Sequence, residues 1–257
     1  ADEEFDGVSL AGVLRGEEKV PDRTLFVNYS RMPFTDFPTP DASSVIRRDG
    51  TAVLRRRWRL LHGTELYDVE ADPQQDRNVI DEYPEVARQM NEALDRWWNR
   101  VEADANEAQR VIIGSDAENP MTLTACEWWD VFVDQQKQVR SGERKNSYWH
   151  LDVARRGRYR FELRRWPEES ELSLSQACPA AELTDGILTA GEALPIARAR
   201  LMIARTHHTV SVSKEDEAAA FTVDLDGGPT LLHTWFDDAD GRPICGAYYV
   251  RVERLDS

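Results

Sequence analysis

Hydrophobic and polar positions change their period along this chain, and the changes divide it. In LFVNYSR, residues 25 to 31, Leu25, Val27 and Tyr29 recur at every second position and predict a half-buried strand. SVIRR, the pair Asp49-Gly50 and TAVLRRRWRLL then predict a hairpin, because Asp-Gly supplies the two positive-φ positions of a tight turn. In the second arm Ala52, Leu54, Trp58 and Leu60 fall on one face with Arg56, while Arg55, Arg57 and Arg59 fall on the other. His62-Gly63 turns the chain into a further strand, TELYDVE. Pro84 opens a helix with Asp81, Glu82 and Glu85 at its positive end. Val86, Met90, Leu94, Trp97 and Val101 keep one face of that helix apolar, and the pair Trp97-Trp98 reads as packing.

The polar stretch VEADANEAQR, residues 101 to 110, suits a linker or helix tail. Beyond it the period becomes two. Short alternating runs appear at EWWDVFV, SYWHLDVA, RYRFELRRW, ELSLSQ, ARLMIAR, HTVSVS, AFTVDLD, LLHTWF and GAYYVRVERL. Turn residues separate them, among them Arg156-Gly157, Asp226-Gly227-Gly228-Pro229 and Asp240-Gly241. The fold class expected is α+β: a small antiparallel sheet plus helix over residues 1–106, then an all-β sandwich or jelly roll over residues 107–257.

Composition narrows the function. A chain of 257 residues with a net charge of -15 is poorly suited to coating nucleic acid or an anionic membrane, so neither is an expected partner. No apolar run approaches the ~18 residues of a membrane span. The acid is unevenly spread, since Arg47 to Arg59 carries +5 and Arg140 to Arg165 carries +6. These basic windows fit either solvated strand faces or a contact for an anionic ligand. The opening ADEEFDGVSL shows no signal peptide and reads as an internal start. Cys126, Cys178 and Cys245 form no zinc-ligand pattern and leave room for one disulfide.

FDGVSLAGVLRGE, AVLRRRWRLLHG, ELYDVEADPQQDRNV and YPEVARQMNEALDRWW, in that order, resemble the C-terminal subdomain of type I sulfatases, the arylsulfatase family of the alkaline phosphatase superfamily. Gln75 stands near the place where that family often has Glu. The later segments YWHLDVARRGRYRFELRRWP and GPTLLHTWFDDADGRPICGAYYVRVERL are similar to the extra C-terminal β-domain of some bacterial arylsulfatases, and to carbohydrate-binding jelly rolls. The resemblance implies the C-terminal part of a sulfuric ester hydrolase that completes the fold and shapes substrate binding. It implies an N-terminal catalytic domain as partner, a sulfated compound or glycan as ligand, and a periplasmic or secreted location. The alternative is a freestanding carbohydrate- or protein-binding module without catalysis.

Hydrolysis in that family uses a formylglycine made within C/S-x-P-x-R, beside a calcium ion. None of the twelve prolines here has Cys or Ser two before it and Arg two after it; Cys178-Pro179-Ala180-Ala181-Glu182 comes nearest and lacks both. No catalytic or metal-binding residue is therefore assigned in this chain, and it is expected to be inactive alone. Formylglycine and calcium are implied only for the catalytic domain. Asp68, Glu70, Asp72 and Asp76 offer oxygen ligands for a metal, whereas the family reading makes them a structural turn. Asp237-Asp238-Ala239-Asp240-Gly241 imitates part of a calcium loop, but without its downstream Glu a hairpin turn explains it better.

The binding candidates come from alternation. Trp149, Leu151, Val153, Tyr159, Phe161 and Leu163 point inward, which leaves Tyr148 and Trp166 on polar faces; Tyr249 likewise alternates against Tyr248 and Val250. Arg158, Arg160, Arg164 and Trp166 fall on one strand face, with arginines ~7 Å apart. With Tyr148 and Tyr249 they are the candidate contacts for a sulfated glycan, because sugar C–H faces stack on aromatics and guanidinium pairs with sulfate. Glu162 on the same face argues for internal neutralisation instead.

Overall fold

The structure is a computed structural model that describes residues 7–28, 46–105, 107–129, 131 and 133–255. It divides into two compact units, Ala1–Glu107 and Ala108–Ser257. The chain is mostly β, with several antiparallel sheets and few helices.

In the first unit a short helix α1 (Ala11–Leu14) precedes β1 (Leu25–Asn28), β2 (Thr51–Arg55), β3 (Trp58–Leu61) and β4 (Glu65–Asp68), which form one antiparallel sheet in chain order. Helix α2 (Pro84–Ala105) lies on it and buries Ala87, Met90, Leu94 and Trp98. Ala87, Met90 and Leu94 join Val53, Leu60, Leu66 and Val79 in one apolar cluster. Trp97 stacks on Phe26 with ring centroids 5.0 Å apart.

Three expectations fail in this unit. Asp49-Gly50 sits in a 3-10 turn ahead of β2, not at a hairpin tip. TAVLRRRWRLL is two strands rather than one arm, turning at Arg56 (φ 52°), and the paired positive-φ residues lie at His62 and Gly63 (φ 52° and 72°) between β3 and β4. The break at Arg56-Arg57 resets the alternation, so the core face of β2 is Thr51 and Val53 instead of Ala52 and Leu54. The expected strand positions Tyr29 to Arg31 and the start of SVIRR lie outside the described residues. The acidic cluster is a turn: Asp68 Oδ1 accepts the N–H of Glu70 and Ala71, and Asp72 Oδ2 accepts that of Arg77. Asn78 Oδ1 accepts the N–H of Leu66 and Ile80, tying the turn to β4.

The second unit is a sandwich. Its elements are β5 (Val111–Ile113), β6 (Met121–Thr124), helix α3 (Gln136–Ser141), β7 (Tyr148–Val153), β8 (Gly157–Arg164), a small hairpin of β9 (Ala181–Leu183) and β10 (Gly186–Leu188), β11 (Arg198–Ile203), β12 (Thr206–Ser211), β13 (Ala219–Leu225), β14 (Gly228–Asp237), β15 (Pro243–Cys245) and β16 (Tyr249–Arg254). One sheet runs β12-β11-β14-β7-β5, with β15 also on β14; the other runs β13-β8-β16-β6. Trp149, Leu151, Leu232 and Phe236 from the first meet Tyr159, Phe161, Phe221 and Val250 from the second in one core. Strict alternation makes this possible: in β13 every second residue from Ala219 to Leu225 is buried.

ELSLSQ forms no strand, nor do the described residues of EWWDVFV. Glu127 ends a 3-10 turn whose capping box joins it to Thr124, and residues 171–176 belong to a loop. The stretch that follows, residues 176–192, is anchored by two buried arginines. Arg165 donates to the carbonyls of Gln176 and Glu192, and Arg140 to those of Pro179 and Thr189. Asp237 to Gly241 closes the hairpin from β14 to β15, with Asp238 Oδ1 accepting the N–H of Arg242. The three cysteines are free thiols. No helix among the described residues is long and apolar enough to cross a membrane.

Candidate functional site

A sandwich offers two outer sheet faces, and the sequence candidates are split between them. On the four-stranded sheet β8 carries Arg158, Arg160, Glu162 and Arg164 outward, and β16 carries Tyr249 and Arg251. Glu162 lies nearly buried among the arginines. Its carboxylate is 2.8 Å from Arg160, 3.5 Å from Arg164 and 4.0 Å from Arg251. Arg158 pairs with Asp224 at 3.1 Å, Arg251 with Glu253 at 2.8 Å, and Arg164, only 12% exposed, also reaches Glu168 and Glu217. Half-buried Tyr249 sits opposite Arg164 in the ladder, and burial raises its phenol above the ordinary range. The basic stripe is thus a closed ionic network.

Trp166 is a correction: it is 3% exposed and belongs to the core. Strand β8 ends at Arg164, so alternation stops two residues short of Trp166. Its Nε1 donates to the Gln176 carbonyl at 3.1 Å, and the buried Arg165 guanidinium lies 4.3 Å from its ring.

Tyr148 occupies the other face. On the six-stranded sheet β7 turns Tyr148, His150 and Asp152 outward, β14 turns out Leu231, His233 and Trp235, and β11 turns out Arg198, Arg200 and Met202. The register sets His233 between Tyr148 and Met202, and Trp235 beside Arg200. Trp129 extends the row, since its N–H donates to the Tyr148 carbonyl and its ring lies 5.0 Å from that of His150. From there ring centroids follow at 5.4 Å (His150 to Tyr148), 6.1 Å (Tyr148 to His233) and 3.9 Å (His233 to Trp235).

The row ends on a fixed ion pair. Arg200 lies over Trp235 at 4.7 Å and gives Nε and Nη2 to the two oxygens of Asp237, at 2.6 and 2.9 Å. The Asp237 side chain is 4% exposed and that of Arg200 35%. Beside them Nε2 of His233 is buried with no hydrogen-bond partner among the described residues. Burial, helped by the Arg200 charge, lowers its pKa to about 4, so the ring is neutral at physiological pH.

Sequence reasoning named Tyr148 as a candidate, grouped with the arginines of β8, and missed Trp129, His150, His233, Trp235 and Arg200. The signal was available in LLHTWF: once Leu232 and Phe236 point inward, His233 and Trp235 must point outward. Among the described residues no three His, Cys, Asp or Glu side chains are placed to hold a metal.

No family model and no curated protein matches the chain. Among solved structures, a family 35 carbohydrate-binding module from Cellvibrio japonicus is similar at TM-score 0.26 and 17% identity, over 42% of this chain and 63% of that one. A ruminal GH26 endo-β-1,4-mannanase is similar at TM-score 0.29 and 14% identity, over 56% of this chain and 28% of that one. A family 35 carbohydrate-binding module from Clostridium thermocellum is similar at TM-score 0.26 and 11% identity, over 51% and 91%. At such scores the functional reading rests on the residues of this chain.

Proposed function

We propose that the β-sandwich of residues 108–257 is a carbohydrate-binding module that docks a glycan on the outer face of its six-stranded sheet. The observation that carries this is the aromatic row Trp129, His150, Tyr148, His233 and Trp235, ending on Arg200 and Asp237. Rings held by a rigid sheet give sugar C–H faces a preformed apolar surface, and the fixed guanidinium offers hydroxyls an oriented donor. Across strands ~4.8 Å apart, the row is long enough for more than one sugar ring.

Affinity electrophoresis of the intact chain through a panel of polysaccharides tests it. Covering one indole face removes ~50 Å² of apolar surface, worth ~1.3 kcal/mol or about tenfold in affinity. Trp235→Ala should therefore weaken retention about tenfold with unchanged circular dichroism. Retention by none of the polysaccharides, or equal retention of the variant, contradicts the proposal.

A second reading concerns the first unit, as the C-terminal subdomain of an arylsulfatase-like enzyme whose catalytic residues lie elsewhere. What favours it is that three of the four segments carrying that resemblance fold together. ELYD forms the edge strand of a four-stranded sheet, and YPEVARQMNEALDRWW forms most of the helix lying on it. A C/S-x-P-x-R motif in upstream coding sequence would support this reading; its absence from an otherwise complete gene would end it.

A further inference from the structure

We propose that the ligand of the aromatic face is an uncharged glycan, selected by a face whose charges are already spent on one another. This rests on the carbohydrate reading above and specifies its ligand. The cation nearest the row, Arg200, gives two N–H groups to Asp237, and Asp237 is too deeply set to swing away. A sulfate or carboxylate arriving over Trp235 would meet Arg200 only in the company of that carboxylate. It would gain little Coulomb energy and would lose its own hydration. Arg198, the next cation on β11, donates Nη2 to the Ala239 carbonyl at 2.8 Å, in a turn that also carries Asp238 and Asp240. At the opposite side Asp152 adds a negative charge to the outward face of β7. Between these ends the row is made of rings, with His233 in its neutral form.

Neutral hydroxyls find what an anion does not. Nη1 of Arg200 has no partner among the described residues and projects from a guanidinium held in place by Asp237 and Trp235. An oriented donor next to a flat indole suits a pyranose ring, whose hydroxyls lie at its edge and whose C–H bonds form its face. The arginines of the four-stranded sheet do not reverse this conclusion, since Glu162, Asp224, Glu253, Glu168 and Glu217 already engage them.

The test is retention of the full chain in gels containing neutral polysaccharides (galactomannan, xyloglucan, hydroxyethyl cellulose, mixed-linkage β-glucan) or anionic ones (heparin, chondroitin sulfate, carrageenan, polygalacturonate). Each is run at ~10 mM and ~1 M salt, between which the Debye length falls from ~30 to ~3 Å. The expected result is retention by at least one neutral polymer, changed less than about twofold by salt, lost about tenfold in Trp235→Ala and unchanged in Arg158→Ala/Arg160→Ala. Retention by anionic polymers alone, abolished at high salt, overturns the uncharged-ligand inference while leaving carbohydrate binding standing. Neutral retention that survives Trp235→Ala moves the site off this face and overturns the inference as well. Retention by nothing removes both the inference and the reading beneath it.

Discussion

Replacing Arg200 by Met isolates the energetics of the ion pair at the end of the aromatic row. The substitution keeps much of the aliphatic stem but removes both hydrogen bonds to Asp237, whose side chain is 4% exposed. Breaking a buried pair by deleting one partner strands the other charge, a loss of ~3–5 kcal/mol when both are deep. Arg200 is 35% exposed, so water admitted by its removal partly solvates the carboxylate, and ~3 kcal/mol is the better figure. For a unit of this size, that lowers the melting temperature by ~6–12 °C. Asp237→Leu alone strands a guanidinium that can reach solvent, so its loss should be smaller, ~1–2 kcal/mol. The double variant leaves no stranded charge and should recover most of the difference, with a coupling energy of ~2 kcal/mol. Differential scanning calorimetry on the four proteins measures all of this. If Arg200→Met melts within ~2 °C of the parent, or if the two losses simply add, the reasoning about a buried and mutually dependent pair is wrong.

The other predictions concern different parts of the chain. His233 is ordinarily half-protonated near 6.5 when unfolded but is held to about 4 in the fold, so the unfolded state binds the proton first. The stability contributed by its neutral burial is therefore present above about 6.5 and lost as pH falls toward about 4; melting temperature against pH should flatten in that window for His233→Gln, and parallel curves would contradict it. Arg165→Met removes the donors that hold the carbonyls of Gln176 and Glu192, so limited proteolysis should cut within residues 176–192 markedly faster, and unchanged cleavage would mean the loop is held otherwise. Asn78→Ala strands the N–H groups of Leu66 and Ile80 and should destabilise the first unit by ~1–3 kcal/mol in urea, while Asn78→Asp, which keeps the acceptor, should lose less.

What could be read in the sequence, and what could not, follows from how local each determinant is. Helix α2 was legible because Pro84, the acidic first turn and the 3.6-residue apolar stripe all lie within its own residues. Alternation likewise assigned the inward residues of β7, β8 and β16. It failed wherever a strand ended unannounced. Arg56 and the pair Ala204-Arg205 turn through positive φ without Gly or Asn, and Trp166 follows a strand end that no residue marks. The parallel pairing of β5 with β7 joins residues far apart in sequence and has no local signature. The site failed for a related reason. Arg200, His233, Trp235 and Tyr148 come from three strands whose order in the sheet is β11-β14-β7, so no spacing in the sequence shows them together. The arginine run of β8 drew attention because it is contiguous, yet its neutralising partners Asp224 on β13 and Glu217 just ahead of it arrive from far along the chain.

The most direct measurement follows the tryptophan indole N–H resonances of the full chain during titration with a neutral oligosaccharide drawn from whichever polymer retains it. The eight indoles divide by place: Trp129 and Trp235 stand on the six-stranded face, Trp128, Trp149 and Trp166 are buried in the sandwich, and Trp58, Trp97 and Trp98 belong to the first unit. The account predicts that Trp235 and Trp129 shift in a saturable manner, that the other six move little, and that the response vanishes in Trp235→Ala. Saturable shifts confined to the other indoles, with Trp235 and Trp129 unmoved, would contradict it.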